Sequence, residues 1–161
     1  MFDLVFSLIW MFFGSIFIGV FFNASNFLAY RFNHVYFSMT LLYTAVFMAS
    51  NMCVLESIMH GRYNGFGCCN WIAIIVFLAM STVTVCFMRQ QKMVDDNQWL
   101  RRMITQHSTA LTTSYKIKES SQSFKIRQLA TNIINTQQFE IELMKKLLKE
   151  NMDNKNKNKS R

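Results

Sequence analysis

Hydrophobic and polar positions alternate along this chain on two different scales. In the first half they form long blocks: residues 4–22, 36–55 and 69–88 contain no charged side chain. A bilayer core of ~30 Å is crossed by about 20 apolar residues in a helix, so each block is long enough to span. Burying three such helices inside a soluble protein would need far more chain than the 161 residues present. The blocks therefore predict three transmembrane helices over about 4–22, 36–55 and 69–88.

Beyond Met88 the blocks give way to a helical period. Asp95 stands three residues before Gln98, a helix-start pattern. Trp99, Leu100, Met103, Ile104, His107, Ala110, Leu111 and Ser114 then recur at intervals of three and four. That spacing marks one face of an amphipathic helix running to about Lys116. The stretch "KESSQS" interrupts it, and Ser121 or Ser123 can cap a second helix. The second helix aligns Ile126, Leu129, Ala130, Ile133, Ile134, Gln137, Ile141, Met144, Leu147 and Leu148. The fold class is thus all-α, with a membrane domain over 1–92 and an amphipathic two-helix hairpin over 93–150. Residues 151–161 ("NMDNKNKNKSR") read as a disordered polar terminus. Two helices alone bury little apolar surface, so the hairpin is expected to form a homo-oligomer, pairing with a second copy as a four-helix bundle.

Composition adds an orientation. Of 17 Lys and Arg, only Arg31 and Arg62 precede Arg89. The positive-inside rule places the C-terminal tail and the 23–35 loop in the cytosol, with the N-terminus and the 60–67 loop outside. The first apolar block lacks a basic leader and reads as a retained anchor, not a cleaved signal. The sequon "NAS" at Asn23 then falls on the inner side and is expected to stay unglycosylated. Cys53, Cys68, Cys69 and Cys86 show no C-x-x-C spacing and read as small packing residues. The bilayer is the evident partner. The basic tail can attract anionic headgroups, and no motif points to specific nucleic-acid binding. No phosphate loop, H-E-x-x-H or nucleophile–base pattern occurs, so no enzyme is expected.

Two clusters could carry chemistry. On the hairpin, Met103 and His107 are four apart, and Gln137, Glu140 and Met144 share a side of the second helix. A carboxylate beside an apolar stripe is costly unless paired. His107 can supply the partner directly, as a structural pair. Alternatively Met103, His107, Glu140 and Met144 can ligate a soft metal such as copper, since thioethers favour Cu(I). In the membrane domain, Met48, Met52, Glu56, Met59 and His60 form a stripe at spacings of three and four. It reads either as a metal path or as a packing face, and Glu56 stands out because ionisable groups near a span are costly.

The stretch "VDDNQWLRRMITQHSTALTTS…IRQLATNIINTQQFEIELMKKL" resembles the domain of unknown function family 305, from residue 94 to about 149. Leu129, Ala130, Ile133, Ile134, Gln137, Glu140, Ile141 and Met144 follow that family's second helix in order and spacing. The resemblance implies a ferritin-like half-bundle and an association with copper or other metals. Carried over by position, it implies Met103, His107, Glu140 and Met144 as ligands. Where the family has Pro-His-His, this chain has Thr105-Gln106-His107, so one of two histidines is replaced.

Overall fold

The structure, a computed structural model, describes residues 2–159, and its long elements are all helical. They are α1 (Phe2–Phe21), a short turn of helix α2 (Ala24–Phe27), a 3-10 turn (Phe32–His34), α3 (Met39–Asn64), α4 (Cys68–Arg89), α5 (Asp96–Ser120) and α6 (Phe124–Lys159). The chain divides into two units. One holds the residues through Asn23 together with Met39–Met93; the other holds Ala24–Ser38 together with the chain from Val94 onward.

The first unit contains three helices long and apolar enough to cross a membrane. The central one, α3, packs against both α1 and α4. Its sequence explains why. Ala45, Ala49, Cys53, Ser57 and Gly61 recur every fourth residue, and all five are buried. Small side chains let helices approach closely where no hydrophobic effect drives them together. At Gly19 of α1 the approach is so close that a Cβ would lie 3.0 Å from that of Ala45. Polar groups on these helices are bonded within the unit. The Ser81 hydroxyl donates to Asn51 Oδ1 at 3.3 Å, and the Cys53 thiol donates to the Leu8 carbonyl at 3.7 Å. After α4 the chain turns through left-handed conformations at Gln91 and Met93 (φ 49° and 57°). The Tyr43 hydroxyl holds that turn by donating to the Lys92 carbonyl at 2.8 Å.

The second unit is built on the expected hairpin. Asp95 caps α5, its carboxylate accepting the Gln98 N–H at 2.8 Å. Leu100, Ile104 and Leu111 of α5 pack against Ile134, Ile141, Met144 and Leu148 of α6. Two features depart from the sequence reading. First, α6 does not stop near residue 150 but continues to Lys159. The segment expected to be disordered contains no Pro or Gly, and Asn151 and Lys155 reach back to Asn97 and Asp95 at 3.0 and 3.2 Å. Residues 160–161 lie outside the described part. Second, Ala24–Ser38, expected to be a plain loop of the membrane domain, belongs with the hairpin. Along the chain, α3 and α4 lie between that segment and the hairpin.

Candidate functional site

Three surfaces of the hairpin can be told apart by what α5 turns toward them. The first is the core facing α6, described above. The second is bound by Ala24–Ser38, and its polar groups interlock. The Tyr30 N–H donates to the Ser108 hydroxyl oxygen at 2.8 Å, and the Ser108 hydroxyl lies 2.9 Å from His34 Nδ1. Thr105 Oγ1 donates to the His34 carbonyl at 2.8 Å and accepts the Tyr36 N–H at 3.3 Å. Above them the Tyr30 ring stacks on Tyr115, with centroids 5.2 Å apart. Ser and Thr hydroxyls on a helix often turn back to their own carbonyls. Here Ser108 serves the neighbouring segment, and Thr105 does so while also reaching its own Arg101 carbonyl at 3.2 Å, which fixes the segment against α5.

The third surface holds the residues singled out from sequence. His107 Nε2 lies 3.0 Å from Glu140 Oε2, and Nδ1 donates to the Met103 carbonyl at 2.9 Å. With acceptors on both edges, the ring donates on both sides in its protonated form. Gln137 Nε2 donates to the same Glu140 oxygen at 3.4 Å. Met103 therefore meets the ring through its backbone carbonyl, while its side chain packs against the core cluster that contains Met144. One chain thus assembles one imidazole and one carboxylate, already bonded to each other. Among the described residues no three His, Cys, Asp or Glu side chains converge as metal ligands would.

Around this pair the surface is apolar and open. On α6, Ile126, Leu129, Ile133, Thr136, Glu140, Leu143 and Leu147 follow one another at alternating steps of three and four. Leu129 is 59% exposed and Leu143 45%. On α5, Trp99, Met103, Gln106, Ala110, Thr113 and Ile117 repeat the same alternation, with Trp99 and Ile117 about half exposed. An alternating three–four stripe is the pattern of a helix seam that packs against another helix.

In the membrane unit the predicted stripe divides. Met48, Met52 and Met59 are exposed on the outer side of α3, away from its small-residue stripe. Glu56 instead turns to α1, accepting the Ser7 hydroxyl at 2.7 Å. His60 turns to α4, its Nδ1 lying 3.2 Å from Asn70 Nδ2, which also donates to the Ser57 carbonyl at 2.9 Å. The structure therefore does not gather the five along one path. Of the cysteines, Cys53 is buried as a packing residue, whereas Cys68 and Cys86 are exposed.

Sequence reasoning missed His34, Tyr30, Thr105 and Ser108. Burial, followed by the charges of Lys145 and Arg31, lowers the pKa of His34 below the usual histidine range, with Glu142 opposing. The available signal was a 15-residue connection, residues 24–38, longer than a turn between spans requires.

Comparison with known proteins matches residues 87–160 to the family described as a domain of unknown function (DUF305). The uncharacterized protein L153 of Acanthamoeba polyphaga mimivirus is 39% identical over 77 residues, covering 48% of this chain and 51% of that protein. The chain thus spans about half the length of this curated relative. No solved structure matches it.

Proposed function

We propose that the chain, whose residues 87–160 match the DUF305 family, is a membrane-anchored, non-catalytic interaction protein whose tail self-associates. The observation that carries this reading is the pair of uncovered three–four seams on α5 and α6. Two hairpins related by a two-fold axis bury both seams and complete a four-helix bundle. Glu140 sits at the middle of the α6 seam, tied to His107. It is the one charged residue of that seam, and a polar group at such a position sets register at some cost in stability. Positive-inside reasoning puts the bundle on the cytosolic side.

Binding of a soft metal by Met103, His107, Glu140 and Met144 is the alternative, and its support is the family resemblance. Two experiments on the full chain in detergent separate the readings. Sedimentation should give a dimer that Leu129→Asp with Leu143→Asp converts to monomer, because two carboxylates cannot be buried unpaired in the seam. A strong Cu(I) chelator should leave the wild-type dimer intact. A monomeric wild type refutes self-association; dispersal by chelator, with stoichiometric Cu(I) binding lost in His107→Ala, favours the metal.

A further inference from the structure

A cavity of about 190 Å³ lies within the second unit, where Ala24–Ser38 meets both hairpin helices. Tyr30, Arg31, His34, Gln138, Ile141 and Glu142 contribute to its wall. It is distinct from the seams and from the His107–Glu140 pair.

The buried part of its wall is His34, whose ring meets Ser108. The Ser108 hydroxyl oxygen accepts the Tyr30 N–H, and its own proton has His34 Nδ1 as its bonding partner. In the tautomer with Nδ1 accepting that proton, the ring proton sits on Nε2. His34 is 3% exposed, and its Nε2 has no hydrogen-bond partner among the described residues. A buried N–H without an acceptor is costly, and native structures seldom leave one so. Arg31 belongs to the same wall, and its charge acts on His34. Glu142 adds a negative charge, but its Oε1 accepts from Lys145 Nζ at 3.3 Å, leaving one positive charge in excess over the three groups. An N–H donor and a guanidinium beside it suit a tetrahedral oxyanion.

We propose that this cavity binds the phosphate group of a phosphomonoester, held by Arg31 and by His34 Nε2–H. Two sources can supply that chemistry: a lipid headgroup or a free phosphate in solution. Four residues separate His34 from Met39, the first residue of a candidate membrane span, so lipid phosphate is within reach along the chain.

The test uses the full chain reconstituted in phosphatidylcholine nanodiscs. Inorganic phosphate is titrated by calorimetry, and nanodiscs carrying phosphatidate are followed by ³¹P line broadening. Saturable binding of either probe is expected, weakened about tenfold or more in Arg31→Ala and in His34→Asn. The asparagine keeps an acceptor for Ser108 but lacks the second N–H. Lys155→Ala, far along α6, should bind as wild type. Phosphate binding without a phosphatidate effect identifies the soluble source, and the reverse identifies the lipid. Arg31 is exposed, so its substitution leaves the fold intact, with helicity by circular dichroism as the check. No saturable binding of either probe, or equal binding by wild type and Arg31→Ala, overturns the proposal.

Discussion

Ser108 should hold the 24–38 segment on the hairpin, and replacing it by alanine isolates that contribution. The residue is fully buried in α5, and its hydroxyl is the only group removed. Alanine favours the helix itself, by about 0.5 kcal/mol over serine. Against this, two interactions are lost. The Tyr30 N–H loses its 2.8 Å acceptor but keeps the Ser108 carbonyl at 3.3 Å, so its cost is small. His34 Nδ1 loses its only donor inside a ring that is already unpartnered at Nε2. An orphaned buried acceptor costs about 1–3 kcal/mol. The net is about 1–2 kcal/mol, or roughly five- to thirty-fold in an opening equilibrium. Hydrogen exchange should show it as loss of protection over residues 30–36 by that factor, with α6 unchanged. Thr112→Ala, which removes only a 3.5 Å contact to the Ser108 carbonyl, should be silent. Unchanged protection in Ser108→Ala, or an equal loss along the whole hairpin, would refute the clamp.

Three further perturbations probe the same unit. Ile104→Ala empties a fully buried position facing α6 and should cost about 2–5 kcal/mol in denaturant unfolding of the tail unit. Asp95→Ala removes the α5 cap and should cost about 1 kcal/mol by thermal melting. The Gln98 N–H, helped by Lys155, holds the Asp95 carboxyl below the usual carboxylate range, against burial. Its stabilisation is therefore present above about pH 4, the unfolded value, and disappears as pH falls through the lower folded value. The alanine variant should lack that acid-side loss. His34, also depressed, acts higher: below about pH 6.5 the unfolded state takes up its proton first, so stability falls toward the folded pKa. His34→Asn should flatten that limb, as read from urea midpoints between pH 5 and 8.

The sequence conveyed the helices more completely than their partners. Charge-free blocks and a three–four period are local properties of the chain, and the Asp95 cap and the hairpin turn were legible for the same reason. The inner and outer sides of α3 were harder. Met48, Met52 and Met59 draw the eye as possible ligands, yet the packing side is set by the small residues from Ala45 to Gly61, because close approach, not hydrophobicity, orders helices in lipid. The reach of α6 to Lys159 was hidden because "NMDNKNKNKSR" is polar enough for a solvated tail; its anchoring depends on Asn97 and Asp95, more than 50 residues away in sequence. At His107 the spacing showed which groups could meet but not how. A ring at position i+4 can turn its Nδ1 onto the carbonyl of residue i, and once it does, Met103 supplies an oxygen in place of its sulfur. That rotamer choice presents Nε2 to Glu140 and leaves the pair a hydrogen-bonded one. His34 lay furthest from view, because its environment is made by α5 and α6, and neither helix carries a signal for a segment 74 residues upstream of Ser108.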